Sequence, residues 1–354
     1  MKLTAQQWNR TLLQRQHLLE RVDEDAVEVI DRCVGVQSQD PQAAFFALWS
    51  RIEGFDPAEL DALLVEREVV RMALLRGTVF LMDGLDARWI RAAVQPALEA
   101  GLRGNPLPRL AGVDLGEVVA CAAALFDDDS PIAGARIREA LTDSWPDAPT
   151  EALTAVVRAR LPLVQVPPRG LWRRCGAPAY RLLDQWIEPG EPAVTGEEAR
   201  KDLIRLYLRG FGPASAAAVS RWSGLTGMGE VMAAMEADWE LTEIVGPNGQ
   251  RLYDLEGLPV ASGDEPAPVR LLAPYDGVLV ANADRAALAD HDVYAATVTR
   301  NGRSPGFVLV DGRLAGTWKP AASGVELTEL VSLSPAERSA VDAEAARLAE
   351  FVAG

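Results

Sequence analysis

The chain has 354 residues, 49% hydrophobic and 24% charged, which is the balance of a globular protein with a large core, and its length predicts two to four compact units. Its net charge of −16 argues against a nonspecific nucleic-acid binder, because phosphate contacts come with a basic surface. The apolar runs are short and broken by Arg, Pro or Gly, which excludes a transmembrane helix, while three scattered cysteines (Cys33, Cys121, Cys175) and two histidines (His17, His291) exclude a structural zinc site and a disulfide framework.

In chain order, Thr4 and Gln7 form a capping box that predicts a helix to about residue 20. A second helix is expected over 25–34. The polar run Gln37-Ser38-Gln39 follows, and Asp40-Pro41 then starts an apolar helix over 41–52. Asp56-Pro57 starts another, to residue 66. Strands are expected over 69–75 and 78–82, around the Arg76-Gly77 turn. The same order returns with helices over 117–126, 131–141 and 151–161. A hairpin of 163–166 and 171–174 closes it around Pro167-Pro168-Arg169-Gly170. It returns again with a helix from the Thr195/Glu198 capping box to 209, helices over 214–222 and 228–237, and strands over 239–245 and 250–255. Three helices and a two-stranded wing, repeated three times, is the winged helix-turn-helix plan. The tail predicts short strands over 269–272, 278–280, 293–298, 306–310 and 314–318, forming a small sheet or partly closed barrel. Ser334-Pro335 then caps a last helix.

The expected fold is therefore mainly α with small β, of the α+β class. It has winged units over 1–108, 109–190 and 191–265, and a β-barrel-like domain with a terminal helix over 266–354. Linkers are expected near 101–108, 188–195 and 261–268. No signal-peptide core opens the sequence, so a reduced, cytoplasmic setting is expected.

Charge is unevenly spread. From residue 152 to 183 there is no Asp or Glu, but there are Arg158, Arg160, Arg169, Arg173, Arg174 and Arg181. This stretch reads either as an accident of spacing or as an anion-binding surface. In the second wing, Arg169, Arg173 and Arg174 stand beside Trp172, a combination that tracks phosphates and wedges against stacked bases; the alternative is a surface hairpin with Trp172 in the core. The third unit's helix over 228–238 is apolar and acidic, and serves as packing rather than as a reader of DNA. No nucleophile elbow, P-loop or dinucleotide fingerprint is present, and Asp127-Asp128-Asp129 lacks the pattern of a calcium loop. Gln37 and Gln39 read either as solvated loop amides or as paired donors and acceptors at the mouth of a helix.

The stretches Val34-Gly35-Val36-Gln37-Ser38-Gln39-Asp40-Pro41, Leu75-Arg76-Gly77-Thr78, Pro167-Pro168-Arg169-Gly170-Leu171-Trp172 and Gly210-Phe211-Gly212-Pro213-Ala214 resemble the tandem winged-helix DNA glycosylases. So do Leu271-Leu272-Ala273-Pro274-Tyr275-Asp276 with Ala283-Asp284-Arg285, and the stretch from Val310-Asp311-Gly312-Arg313 to Trp318. These bacterial enzymes excise bulky alkylated purines, including crosslinked ones. Gln37 and Gln39 match the branch with a Gln-x-Gln motif, of the azinomycin-resistance type. Two positions depart from the family pattern: Ser38 replaces an aliphatic residue, and Phe80 stands where histidine is frequent.

The resemblance implies a monofunctional DNA glycosylase without metal or cofactor, with Gln37 and Gln39 catalytic. It implies DNA contacts from Arg76, Thr78, Arg169, Trp172, Arg173 and Arg174. The expected partner is duplex DNA carrying alkylated purines, bound by a monomer with no membrane attachment. The chemistry suits amides, because N7 alkylation makes the purine a cationic leaving group. What remains is to stabilise an oxocarbenium-like sugar and place a water, through positioned dipoles. Without a lysine beside the motif, no Schiff-base step is expected. An open cleft suits a bulky lesion better than a tight base-flipping pocket. Two rivals stand beside this reading: a non-catalytic winged-helix DNA-binding protein, and a protein that sequesters a small molecule.

Overall fold

The computed structural model describes residues 1–188, 190, 193–299, 302–321 and 324–354. Contacts divide the chain into two compact units. One comprises Met1–Phe55, Ile204–Trp222 and Gly227–Gly354, and the other Asp56–Leu203 and Ser223–Thr226. The second is thus built from nearly continuous sequence, the first from three separated stretches.

The continuous unit opens with the helix Pro57–Glu66, whose Asp56 cap accepts from the Ala58 amide at 2.9 Å. The strands Val69–Ala73 and Val79–Asp83 pair antiparallel from Val69↔Asp83 to Ala73↔Val79. Two helices then follow that no expectation covered, Gly84–Ala93 and Gln95–Leu102. Helices Leu115–Ala123, Gly134–Ser144 and Thr150–Arg160 fall where expected. Leu163–Gln165 pairs with Ala179–Leu182 and joins the first hairpin through Met72↔Val164, so two wings share one sheet.

The second strand of this wing is Ala179–Leu182, not 171–174. The reason is that 168–174 bonds to itself. The Leu171 amide donates to the Pro168 carbonyl at 3.2 Å, Arg174 to Leu171 at 2.9 Å and Gly170 to Arg174 at 3.3 Å. Gly170 sits at φ +101°, and a Cβ there would lie 2.8 Å from Arg71 Cδ. Only glycine lets this turn close over the buried Arg71.

In the discontinuous unit, the helix Ala5–Arg15 carries the expected Thr4/Gln7 capping box. Its Arg15 forms a buried bidentate pair with Asp254, both bonds at 2.7 Å. Helices Ala216–Ser223 and Met228–Ala237 precede the hairpin Leu241–Val245 with Arg251–Leu255, as the third winged pattern predicts. The tail forms an open antiparallel sheet in the order Gly324–Glu329, Arg313–Ala321, Gly306–Val310, Arg270–Leu272. It is a four-stranded sheet and not a barrel.

Two expected tail strands are short helices, Gly277–Val280 and His291–Ala295. The first arises because Asp276 caps it, accepting from the Val278 amide at 3.2 Å. A three-residue apolar run is too short for periodicity to decide its state. The last helix, Pro335–Ala353, has the predicted Ser334/Glu337 box.

The helix Ala43–Trp49 is buried at every residue. Phe46 meets the Trp318 ring edge-on at 5.2 Å, and Trp49 and Phe46 flank Phe351 at 6.1 and 6.4 Å. Burying Phe45, Phe46 and Leu48 contributes about 1.5–3 kcal/mol each. The tail sheet and terminal helix therefore hold from behind the segment that carries the two glutamines.

Candidate active site and nucleic-acid interface

The helix Ala26–Arg32 ends in two successive left-handed residues, Val34 at φ 62° and Gly35 at φ 75°. Their amides close the turn, Val34 onto the Asp31 carbonyl and Gly35 onto the Ile30 carbonyl, each at 2.9 Å. A β-branched residue in this region is a true outlier, held by its surroundings at a cost of about 1–3 kcal/mol. The surroundings are Gly210, where a Cβ would lie 2.4 Å from Val34 Cγ2 and 2.7 Å from the Arg32 carbonyl. The strained turn delivers the extended pair Val36–Gln37.

Gln37 is buried and Ser38 fully so, whereas Gln39 is exposed. Asp40 accepts from the Gln42 amide at 2.9 Å, and the helix starts at Ala43 rather than at residue 41. Gln37 lines a cavity of about 20 Å³ together with Gln16, Cys33, Ala47, Arg51 and Asp276. Arg51 and Asp276 are a bidentate pair at 3.0 and 3.1 Å, their side chains 3% and 2% exposed. Arg51 also donates to Gln16 Oε1 at 3.4 Å, and Gln16 Nε2 donates to the Gly210 carbonyl at 2.7 Å. Burial works against the charge of Arg51, but the Asp276 carboxylate more than offsets it and holds the guanidinium protonated. Burial raises the pKa of the Cys33 thiol, which leaves it neutral and unreactive.

Beside this network, burial pushes His17 down to about 4, with Arg32 and Arg51 adding to the effect. Between pH 6.5 and about 4 the unfolded chain takes up a proton that the folded chain refuses. Stability therefore falls as pH drops through that window. His17→Asn tolerates the left-handed φ of 53° and removes the proton acceptor. Thermal melts from pH 7 to 4.5 are expected to show a flatter acid limb for this variant, and an identical limb would refute the assignment.

In the continuous unit, Arg76 sits at the hairpin tip at φ 55°, with its guanidinium 5.8 Å from the Phe80 ring centre. Thr78 Oγ1 donates to the Leu75 carbonyl at 3.1 Å. Arg76 and Arg158 line a cleft of about 490 Å³, otherwise walled by small and apolar residues such as Ala97, Leu98 and Gly101. Arg158 has no hydrogen-bond or ion-pair partner among the described residues.

Arg173 and Arg174 are exposed, and Arg173 lies over Trp172 at 5.4 Å. The Trp172 ring is half-buried, and its amide donates to Asp61 at 2.7 Å. Arg169 turns inward to the carbonyls of Gly176 and Cys175, at 2.6 and 3.3 Å. Arg160 and Arg181 are paired with acids from outside the acid-free stretch, and Arg174 lies in the field of Asp61. Arg160 pairs with Glu99 at 3.0 Å; Arg181 is buried against Asp129 at 3.1 Å and the Asp128 and Ser130 carbonyls. The exposed cations are thus concentrated at the wing tip.

Sequence reasoning missed Arg51 and Gln16 altogether, and quoted Asp276 without a role. Asp276 did carry a signal, an Asp directly before Gly277 at a helix start. Among the described residues no group of three or more His, Cys, Asp or Glu could hold a metal ion, and no helix is long and apolar enough to cross a membrane.

By class the chain is a DNA glycosylase: residues 30–351 match the family described as DNA glycosylase AlkZ-like. It therefore belongs to the AlkZ-like DNA glycosylase family. It is 26% identical over 383 residues to the interstrand DNA cross-link repair glycosylase of Streptomyces sahachiroi, spanning 99% of this chain and 96% of the relative. The solved structure of Streptomyces sahachiroi DNA glycosylase AlkZ has the same fold, with a TM-score of 0.83 at 20% identity, covering 100% of this chain and 98% of that one.

Proposed function

We propose that the chain hydrolyses the N-glycosidic bond of bulky or cationic alkylated purines in duplex DNA, N7-alkylguanine above all, as a cytoplasmic monomer serving repair or self-resistance. The observation that carries this reading is the pair of neutral amides, one buried and lining a cavity that an ion pair also lines, one exposed, within the region matched to the family. Glutamine is a poor general base, which suits a leaving group that already bears positive charge and gives no purchase on an unmodified base. Gln39 aligns the water, and Gln37 holds the sugar, the phosphate or Gln39 itself. Lysine occurs only at 2, 201 and 319, which supports a hydrolytic reaction that leaves an intact abasic strand. The name of the Streptomyces sahachiroi relative supports extending the substrate to N7-linked crosslinks.

The test is base release from duplexes carrying N7-alkylguanine adducts of increasing size, followed by chromatography. Release of the alkylated base, with unmodified guanine retained and no strand cleavage before alkali, is expected. Binding without release would replace this reading with that of a DNA-binding protein.

Arg173 and Arg174, with Arg169, Trp172, Arg76 and Thr78, are assigned to DNA contact. Arg173→Ala with Arg174→Ala is expected to weaken binding and to reduce the slope of log K against log salt by about 1–2. An unchanged slope in a salt titration would remove the wing from the interface.

A further inference from the structure

The sequence stretch ending in Asp276 has no part in the reaction described so far, yet it reaches the floor of the site. We infer that the buried Arg51–Asp276 pair is the positioning device of Gln37, acting through a single water held in the cavity between them. The cavity has about 20 Å³, enough for one water, and such a water needs two to four polar partners. Gln37, Gln16 and the ion pair supply them. Arg51 Nε is buried and has no nitrogen or oxygen partner among the described residues. Both terminal nitrogens are committed, to Asp276, the Ala47 carbonyl, Ser50 Oγ and Gln16.

The geometry of this pair is over-determined. Asp276 is fixed as the cap of Gly277–Val280, while Arg51 is fixed by the end of the apolar helix that starts just after the glutamines. A rigid, charged anchor below a neutral amide sets which way its oxygen and nitrogen point. That orientation decides whether the amide presents a donor or an acceptor to the reacting sugar. Arg51 and Asp276 are positioning residues, since they act through Gln37.

This inference rests on the catalytic reading of Gln37, so its test has one readout that needs no substrate. Arg51→Lys keeps a charge opposite Asp276 and removes the Nε donor and the planar fork. In protein labelled with 15N-glutamine, the side-chain amide of Gln37, assigned by its absence in Gln37→Ala, is expected to exchange with water about tenfold faster or more in Arg51→Lys. On a duplex with one N7-methylguanine, single-turnover release is expected to fall about tenfold or more, while affinity for the abasic product duplex stays within about threefold. A role in packing alone would lower the melting temperature without separating rate from affinity. Exchange and release both within about twofold of the parent would overturn the inference. Should Arg51→Lys not fold, Arg51→Met with Asp276→Leu removes both charges while keeping apolar volume, and the same readouts decide. If Gln37→Ala releases base at the parental rate, the catalytic reading of Gln37 falls and the inference with it. If Gln37→Ala is inactive while Arg51→Lys is fully active, only the positioning role falls.

Discussion

Gln39→Ala is expected to slow release of N7-alkylguanine by about 10²–10³-fold, the usual cost of removing one preorganised dipole from a transition state. Gln39 is exposed, and substitutions at such positions shift stability by about 0.5 kcal/mol or less. The variant should therefore melt with the parent and bind product DNA normally, placing the whole loss in the chemical step. Single-turnover kinetics with chromatographic detection of the free base measure this directly, and a parental rate would end the role given to Gln39. A companion variant adds a signature. An amide does not titrate, whereas the carboxylate of Gln39→Asp can align water only when ionised. That variant should retain more activity than the alanine and gain an acid limb near the ordinary aspartate pKa of about 4.

Gly210→Ala is expected to cost about 1–3 kcal/mol and to carry activity down with it. The added methyl meets Val34 Cγ2 and the Arg32 carbonyl well inside contact distance, and the carbonyl is backbone that cannot swing aside. Relief requires the strained turn to open, and that turn leads directly into Gln37. The contrast is Gly101→Ala, within the helix Gln95–Leu102, where nothing lies within 4 Å of the new Cβ. There the same methyl should stabilise by about 0.5–1 kcal/mol through helix propensity. Thermal melts of the two variants, compared with base-release rates, separate crowding at the turn from a general intolerance of alanine. Equal melting of Gly210→Ala and the parent would show that the turn is not braced as described.

Elements announced by local chemistry were legible. Thr4/Gln7, Asp56-Pro57 and Ser334-Pro335 each marked a helix start that the structure contains. The hairpins of Val69–Ala73 with Val79–Asp83 and of Leu241–Val245 with Arg251–Leu255 were legible too, whereas the partner strand of Leu163–Gln165 was not. What escaped was set by contacts far apart in sequence. Asp276 makes a helix of 277–280 and reaches Arg51 across 225 residues, a pairing no periodicity encodes. The union of two wings depends on Met72 meeting Val164. The acid-free arginine stretch looked uniformly available, but Glu99 and Asp129 claim two of its members from outside. The helices Gly84–Ala93 and Gln95–Leu102 did have a signal, the Asp83 cap, which accepts from the Leu85 and Asp86 amides. In the site, the two glutamines were visible because of their position before a helix. That one is buried and the other exposed follows from the Val34–Gly35 turn and from Gly210, which is remote in sequence.

The discontinuous make-up of the first unit has a consequence for how the protein is born. Met1–Phe55 is made ahead of its partners Ile204–Trp222 and Gly227–Gly354, which follow only after the whole of Asp56–Leu203. At cellular elongation rates that wait is about 7–30 s. The intervening unit has time to finish folding, whereas Phe46 and Trp49 must wait for Trp318 and Phe351. Until then the apolar helix Ala43–Trp49 stands without the groups that cover it. Any stall late in translation would strand it there. The glutamine strand is synthesised well before the stretches that secure it.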